Sequence, residues 1–373
     1  MTDEVSIVPC RSKKDWKLFE HIPELLHREL PNFVPPFPGS VSRIRKSDHP
    51  IHYHGSIHPF IAMRSGKPVG RIAGIINKTH NDFHNDRVGF FGFFDFVNDL
   101  EVAEALFDAA LAVSVDNGRT SIRGPHNPTQ NDECGLLIDG FDSPPFILMA
   151  YNPQYYVDVY EKLGLEKARD LYAYYIEDET EVMARTARIV ERVRKKTRIT
   201  FRSMDLKQLP REIRIVSELY NKMLEDEWGL MPVTFRDLEY SFGDMKPILD
   251  EDLVIFAEFE GKPIGVSVTL PNVNEFMLRA KKSSGFMRLL KLSYYVLTKK
   301  PKTARLALLG VLPEFRAKGV GPVFFFESLA RGMGKYDAAE ISYVQDINEE
   351  IHRTAKAMGV EVYKTYRIYE KVC

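Results

Sequence analysis

The sequence predicts a mixed α/β protein, with a largely antiparallel sheet flanked by helices and formed by two tandem copies of one unit. Three observations predict this class. Two separated segments repeat at one offset, each copy gives the same order of strands and helices, and 44% of the 373 residues are hydrophobic, enough for a core in each copy. A chain of this length also exceeds the usual size of one domain.

The repeat is visible in two pairs of segments. Residues 66–77 (GKPVGRIAGIIN) match residues 261–272 (GKPIGVSVTLPN), and residues 160–166 (YEKLGLE) match residues 355–361 (AKAMGVE). Both pairs are 195 residues apart (261 − 66 and 355 − 160). We therefore predict that one domain covers residues 1–176 and a second covers 198–373. The charged segment 177–197 lacks Gly and Pro and is expected to be a linking helix.

Hydrophobic periodicity places the same elements in each copy, with alternation predicting strands and a 3.6-residue period predicting helices. The first copy is expected to contain a strand at 5–9, a helix at 14–29, a hairpin of 59–63 with 69–76, a strand at 88–96, a helix at 101–115 capped by Asn98 or Asp99, and a closing Tyr-rich hairpin at 171–176. The second is expected to contain a strand at 198–204, helices at 210–225 and 235–249, a hairpin of 253–259 with 264–270, a strand at 304–312, a helix at 322–333, a strand at 341–344 and a closing hairpin at 360–369.

The most informative stretch for function follows the strand predicted at 304–312. The chain passes through Arg316-Ala-Lys-Gly-Val-Gly321 into a helix with Pro322 in its first turn, a position that Pro tolerates. Two glycines let the backbone fold tightly, so successive N–H groups converge at the positive end of the helix dipole. Such a corner is suited to an anion, a pyrophosphate for example. Arg316 and Lys318 add positive charge at its rim.

The pattern Val311-x-Pro313-x-x-Arg316-x-x-Gly319-x-Gly321, followed by a strand, Asn348 and Gly359, resembles the coenzyme A loop and the next motif of the GNAT acyltransferase superfamily. The resemblance covers the whole second copy and, more faintly, the first. It implies two tandem GNAT-like domains and an N-acyltransferase that moves an acetyl or longer acyl group from acetyl-CoA or another acyl-CoA to a small-molecule or peptide amine, without a metal.

The resemblance also assigns roles to residues. The backbone of Leu309 and Val311 would hold the pantetheine arm, and Asn348 would hydrogen-bond that arm or order its strand. The pyrophosphate would be bound by the backbone amides of the loop that follows Arg316, namely those of Ala317, Lys318, Gly319, Val320 and Gly321.

The second copy departs from the family pattern at its catalytic positions. Many relatives carry a Tyr seven residues after the Asn, where this chain has Ala355, and a carboxylate on the strand that here spans 304–312. Asp346 is a candidate base and Tyr343 a candidate acid, with Asp226 and Glu227 as further base candidates. These departures keep open a second interpretation, a non-catalytic protein that binds or senses CoA or acyl-CoA.

The first copy departs further, because its corresponding corner contains Asp95, Asp99 and Glu101 and no glycine. Carboxylates at a helix N-terminus repel a pyrophosphate. We predict that the first copy is degenerate and binds no nucleotide, and that Tyr160, which aligns with Ala355, is structural.

Each copy carries one insertion. The insertion of the first copy, residues 125–151, is rich in turn residues, and its Asn127, Asn131, Asp132 and Glu133 are candidates for holding the acceptor amine. The insertion of the second copy, residues 279–305, has nine basic residues, no acidic one and interleaved apolar residues. We expect a solvated helix whose apolar side packs on the sheet. Contact with an acidic or acyl-bearing substrate, or with an anionic membrane surface, stays open.

Composition limits the remaining functions. Lys and Arg total 51 against 52 Asp and Glu, so we expect no nucleic-acid partner. Three scattered cysteines favour a reducing compartment. No stretch approaches the ~18 apolar residues of a membrane span, and the first residues lack the pattern of a signal peptide, so we expect a cytoplasmic protein. The sequence does not determine the oligomeric state.

Overall fold

A computed structural model of the chain describes residues 4–177, 179–223, 227–283 and 285–373. The first copy contains β1 Ser6–Pro9, α1 Lys13–His27, α2 Ile51–His54, β2 Gly55–Arg64, β3 Lys67–Asn77, α3 Lys78–His84, β4 Val88–Phe96, α4 Leu100–Asp116, β5 Ser121–Gly124, β6 His126–Asn127, β7 Glu133–Cys134, β8 Leu136–Asp139, α5 Tyr155–Lys162 and β9 Glu166–Ile176. The linking helix α6 follows at Glu179–Lys196. The second copy contains β10 Ile199–Ser203, α7 Leu209–Met223, α8 Phe235–Met245, β11 Val254–Phe259, β12 Lys262–Pro271, α9 Asn274–Ala280, α10 Gly285–Thr298, β13 Thr303–Val311, α11 Pro313–Arg316, α12 Val320–Gly332, β14 Ala338–Gln345, α13 Glu349–Met358 and β15 Val362–Val372.

The two sequence repeats adopt the same local structure. The β2–β3 turn has positive φ at Ser65 (49°) and Gly66 (75°), and the β11–β12 turn has positive φ at Glu260 (51°) and Gly261 (75°). Two consecutive residues of positive φ match the twist of a tight hairpin. In the second pair of repeats, α5 and α13 are each followed closely by a glycine with positive φ. The tandem arrangement predicted from the sequence is therefore confirmed.

The copies share one sheet, in the strand order β1-β2-β3-β4-β5-β15-β9-β14-β13-β12-β11-β10. The final strand of each copy lies beside the other copy: β15 pairs with β5, and β9 pairs with β14. The two final strands also pair with each other, with Tyr366 opposite Leu171. The prediction of two closing hairpins is therefore wrong. Each closing segment is one strand of 11 residues without an internal Gly or Pro, so it does not fold back on itself. The division at residues 176 and 198 stays a prediction.

Helices cover both copies through apolar side chains. In the first copy, Leu106 and Ala110 of α4 are fully buried against the strands. In the second copy, Phe324 of α12 is fully buried in the corresponding core. Helix α6 packs through Val193 onto Val323 of α12, which attaches the linking helix to the second copy. Among the described residues, no helix combines the length and the apolar character needed to cross a bilayer.

Helix α10 contradicts the expectation that its apolar side packs on the sheet. The two buried side chains of α10 are Leu292 and Arg288. The Arg288 guanidinium forms an ion pair with the Glu24 carboxylate of α1 (Nη1 to Oε2, 2.9 Å). Leu292 joins a small cluster with Phe276 and Met277 of α9. Arg288 therefore faces the protein, whereas Lys291 and most of the apolar side chains of α10 are exposed.

Candidate active site

The site begins where two parallel strands separate. Strands β13 and β14 pair from Thr303 opposite Ala338 to Leu306 opposite Ile341. Beyond this point β13 stays paired with β12 and β14 stays paired with β9. The β12–β13 register shifts next to Leu306, which leaves Ala307 without an opposite residue, and such a bulge bends the strand. The two strands therefore open a gap, which we call the notch.

The backbone of β13 supplies polar groups to the notch. The amide of Leu312 donates to the carbonyl of Ile264 in β12 (2.9 Å). Because hydrogen bonds of an antiparallel strand alternate between its two sides, Leu309 and Val311 direct their backbone groups toward the notch. The carbonyl of Val311 accepts a hydrogen bond from the Arg316 guanidinium (3.3 Å). Leu309 thus offers an N–H and a C=O to a ligand lying between the strands.

The N-terminus of α12 is open. Gly319 precedes the helix with φ of 75°, and no side chain caps the first turn. Of the five amides predicted to bind a pyrophosphate, those of Ala317, Lys318 and Gly319 are engaged within the preceding turn. Within the described part of the chain, the amides of Val320 and Gly321 have no acceptor, and a Cβ at Gly321 would meet nothing within 4 Å.

Positive charge lies at this corner but is partly engaged. The guanidinium of Arg316 donates to the carbonyl of Met223 at the end of α7 (3.2 Å), so the side chain is tied to the helix beside the notch. The ammonium of Lys318 lies 4.3 Å from the ring centroid of Phe315 and is exposed. Among the described residues, neither cation forms an ion pair with a carboxylate, and both raise the local potential, which favours an anion next to Gly321.

The same corner is closed in the first copy. Asp99 caps α4 by accepting from the amide of Val102 (3.4 Å), and Arg64 pairs with both Asp99 and Glu101 at 2.6 Å. A carboxylate of the protein therefore occupies the N-terminus of α4, whereas the corresponding helix of the second copy, as far as the structure describes the chain, has free amides there. Its dipole is already compensated.

The counterpart of the notch in the first copy is filled by protein. The ring of Tyr156 stacks on Phe96 at a centroid distance of 4.2 Å, and its hydroxyl accepts from the Phe96 amide (2.8 Å). Tyr160 is fully buried beside them. The first copy is degenerate, as the sequence predicted.

A cavity of about 1330 Å³ connects the notch with the insertion of the first copy. Its walls combine the two sets of residues that the sequence singled out. From the second copy they include Leu309, Val311, Arg316, Gly321 and Asn348, and from the insertion they include Asn127, Asn131, Asp132 and Glu133.

Hydrogen bonds fix the insertion over the notch. Gln130 of the insertion and Gln345 at the end of β14 both donate to the carbonyl of Trp228 (2.9 and 3.0 Å). Arg305 of β13 donates to the carbonyl of Ile147 in the insertion (3.0 Å). The insertion is therefore tied to both of the separated strands, and its residues 131–133 line the same cavity as the notch.

The two asparagines predicted to bind an acceptor already have partners in the protein. Asn131 exchanges hydrogen bonds with both backbone groups of Met231 (2.9 and 3.2 Å). Asn127 accepts from the amide of Phe93 (2.6 Å) and donates to Glu133 (2.8 Å). Both side chains hold the insertion in place, which leaves the neighbouring carboxylates to face the cavity.

Asp132 has the properties of a proton acceptor near neutral pH. One of its carboxylate oxygens accepts from the Thr129 hydroxyl (2.7 Å), and the side-chain surface left open faces the cavity. Desolvation by the surrounding protein raises the pKa of Asp132, whose side chain is exposed to the solvent in the cavity, from 3.8 to about 6. The negative charge of Asp237 contributes to this rise, and the hydrogen bonds from Thr129 oppose it. Burial also raises the pKa of Glu133, whose hydrogen bond from Asn127 opposes the shift.

Asp346 does not fit the predicted role of base. It is outside the cavity lining, and its carboxylate is paired with Arg169 (2.9 Å) and Lys167 (3.3 Å). Burial alone would raise its pKa, but the hydrogen bond from Arg169 and that from the Asp170 amide outweigh it and lower the pKa. Asp346 was predicted as the base because it follows the end of a strand. In the structure, Lys167 and Arg169 of β9, which lies beside β14 because the final strands are exchanged, neutralise its carboxylate.

Tyr343, the predicted acid, lines the cavity. Its hydroxyl accepts from the amide of Ala150 (3.4 Å), and burial raises its pKa well above 10.0, so it stays protonated. Asn348 also lines the cavity and caps α13 by accepting from the Ile351 amide (3.2 Å). Glu227 lines the cavity, whereas Asp226 lies outside the described residues.

Sequence reasoning missed a His–Asp pair in the cavity wall. His54 Nε2 lies 2.9 Å from the Asp237 carboxylate and its Nδ1 lies 2.9 Å from the Thr79 hydroxyl. His54 comes from the first copy and Asp237 from α8 of the second, so nothing in the spacing joins them. Both ring nitrogens are engaged, which makes the pair a brace rather than a free base.

Fold and site together define the class of protein. The structure is a tandem GNAT fold with a degenerate first copy. In each copy the sheet splits after its fourth strand, and the N-terminus of the helix that follows is open in the second copy and closed in the first. A tandem GNAT protein from the clavulanic acid biosynthesis pathway has the same fold, with a TM-score of 0.58 over 99% of this chain and 98% of that one, at 12% identity. No protein-family model matches the chain.

Curated relatives show the family. The bacterial ceramide synthase of Caulobacter vibrioides (strain NA1000 / CB15N) is 32% identical over 99% of this chain and 97% of its own length. Protein YghO of Escherichia coli (strain K12) is 31% identical over 96% of this chain and 93% of its own length. The chain belongs to the family of these two proteins.

Proposed function

We propose that the protein transfers a long-chain acyl group from coenzyme A to the amino group of a long-chain amino alcohol, which gives an amide of the ceramide type. One observation carries this proposal: the open corner of α12 and the notch lead into a large cavity that reaches carboxylates contributed by the other copy. The name of the Caulobacter relative supports the choice of product. The fold supports the acyl-CoA donor.

The cavity has the size and lining for hydrocarbon. Its volume of about 1330 Å³ exceeds the roughly 300–1,000 Å³ of a usual small-molecule site. One part of its lining is apolar and includes Leu270, Val273, Phe276, Met277 and Leu292. A short acetyl donor and a small polar amine would leave these side chains facing water, whereas two alkyl chains cover them.

The donor fits the second copy residue by residue. The amides of Val320 and Gly321 and the dipole of α12 suit the pyrophosphate, and the open space at Gly321 leaves room for it. The pantetheine arm lies along β13, with its amides paired to the backbone of Leu309. The thioester then sits in the notch, where it faces the insertion.

The reaction forms the C–N bond of the amide and breaks the C–S bond of the thioester. The amine nitrogen attacks the thioester carbonyl, Asp132 takes the proton that the nitrogen loses, and a backbone N–H of β13 stabilises the oxyanion. Collapse of the tetrahedral intermediate expels the thiolate of CoA, and Tyr343 lies in the cavity as the proton donor for it. Ala355, at the position where the GNAT resemblance places a Tyr in many members, is 3% exposed and contributes no proton.

The test is turnover by purified protein with acyl-CoA donors of increasing chain length and two acceptors, a long-chain amino alcohol and a small polar amine. Release of free thiol should require both substrates and should increase with chain length, with the amide identified by mass spectrometry. Tight CoA binding without thiol release for any amine would instead favour the sensing interpretation. Turnover confined to acetyl-CoA and small amines would contradict the assignment of the cavity.

A further inference from the structure

Helix α10 presents an apolar surface to the outside of the molecule. Its outward side chains, which we call the α10 face, include Phe286 (73% exposed) and Leu297 (83% exposed). The full set is Phe286, Met287, Leu289, Leu290, Tyr294, Val296 and Leu297. At 100° per residue these positions span about half of the helix circumference. Apolar patches of this kind mark contact with a partner or a membrane.

The helix is held in this orientation by a charged pair. Arg288 is buried against Glu24 of α1 and also donates to the carbonyl of Ser283 (2.9 Å). The guanidinium of Arg28 donates to the carbonyl of Lys282 just before α10 (2.9 Å). A surface helix that contacts only protein and water normally buries its apolar side and exposes its charged side chains, such as arginine. Here the polar contacts face the protein, so the arrangement suits an apolar exterior.

Charge around the α10 face selects the partner. Four exposed lysines lie at its ends and on one flank: Lys282, Lys291, Lys299 and Lys300. A fifth, Lys302, pairs with the exposed Asp337 (3.2 Å). The sequence from 276 to 313 contains no acidic residue. An apolar face bordered by lysines matches the surface of a bilayer that contains anionic lipid, where alkyl chains accept the apolar side chains and headgroup phosphates accept the lysines.

The cavity reaches the same helix. Leu292 and Val296 of α10 line it together with Phe276 and Met277 of α9, and Val296 also belongs to the α10 face. A lipid leaving the bilayer at α10 would therefore enter the apolar end of the cavity without crossing water. Asp132 and the notch lie in the same cavity.

We infer that the α10 face inserts into the interface of an anionic bilayer and that the lipid acceptor enters the cavity from the membrane at this helix. The docking stands on the exposed helix alone, and the entry route rests on the proposed function. The protein would thus be a peripheral membrane enzyme that lies on the bilayer.

The test is co-sedimentation of the full chain with vesicles of phosphatidylglycerol and phosphatidylethanolamine, and with vesicles of phosphatidylcholine alone. The wild-type protein should bind the anionic vesicles and bind more weakly at high salt. A variant with Phe286→Ser, Leu290→Ser and Leu297→Ser should lose roughly a hundredfold or more in partition, because three apolar side chains that would be partly buried in the lipid are replaced by polar ones. A control with Val115→Ser and Val372→Ser, both exposed apolar sites elsewhere, should bind like wild type.

Activity separates docking from turnover. With a short-chain, water-soluble amino alcohol, the α10 variant should match wild type; with the long-chain acceptor embedded in vesicles, it should lose most of its rate. If the protein binds vesicles but neither wild type nor variant shows turnover, the proposed function is wrong and the inference of membrane docking still holds. Wild-type protein that stays in the supernatant with every vesicle, or that forms a dimer which the three substitutions dissociate, would overturn the inference.

Discussion

Substitution of Asp132 by Asn tests the assignment of the base most directly. The change keeps the size of the side chain and its hydrogen bond from Thr129 but removes the proton acceptor. We expect a loss of roughly 10²- to 10⁴-fold in kcat/KM, the range usual for a general base. Turnover would be followed by release of free thiol from acyl-CoA.

The pH profile gives the sharper test. With a pKa of about 6, Asp132 is mostly ionised at pH 7 and only about one-tenth ionised at pH 5. The rate of wild type divided by that of Asp132→Asn should therefore fall about tenfold from pH 7 to pH 5. The ratio cancels the titration of the amine substrate, which both proteins share.

Stability should move in the opposite direction to activity. The folded pKa of Asp132 lies above the ordinary 3.8, so the folded protein binds more protons than the unfolded chain between pH 3.8 and about 6. Ionised Asp132 thus lowers the free energy of unfolding at pH 7. The shift corresponds to about 3 kcal/mol, and screening by water in the cavity reduces the expected gain for Asp132→Asn to about 1 kcal/mol.

Two controls complete the experiment. Asp139→Asn changes an exposed carboxylate outside the cavity lining and should leave activity and its pH profile unchanged. Glu133→Gln tests the neighbouring carboxylate. A flat rate ratio between pH 5 and pH 7, or loss of the acidic limb in Glu133→Gln instead, would refute the assignment of Asp132.

Three further substitutions test other parts of the structure. Gly321→Phe should fill the groove at α12 and weaken CoA binding at least about tenfold by calorimetry, whereas Gly243→Phe, placed in equally open space on α8, should not. Asp99→Ala should lower the free energy of unfolding by about 1 kcal/mol without creating a second CoA site, since the residue caps α4; a second bound CoA would contradict the closed corner. Arg288→Met should cost about 3–5 kcal/mol in urea unfolding, and Glu24→Leu combined with it should restore most of the loss; an unchanged midpoint for the single variant would contradict burial of this pair.

Much of the fold was predictable because its signals are local. The Gly-Lys-Pro turns require positive φ, and their recurrence 195 residues apart identified the tandem copies. Alternation predicted the strand at 88–96 with its observed bounds, and Asp99 was among the predicted caps. These features depend on neighbours within a few residues, so the sequence carries them without reference to the rest of the chain.

The partner of each final strand was not predictable in this way. The segments at 171–176 and 360–369 read as strands, but a strand pattern does not state which edge it joins. Their exchange is decided by burial across residues almost two hundred positions apart, as with Tyr366 opposite Leu171. The same exchange brings Arg169 and Lys167 to Asp346 and removes that carboxylate from the candidates for the base.

The open glycine-rich corner and its carboxylate-bearing counterpart in the first copy could be read from the amino-acid sequence, because helix capping depends on the side chains next to the helix end. Contacts between distant segments place Asp132 of the first copy in the cavity that also contains the notch of the second, and they turn Arg288 of α10 inward while Leu289, Leu290 and Leu297 stay exposed. Both outcomes are set by contacts between distant segments, which no local periodicity records.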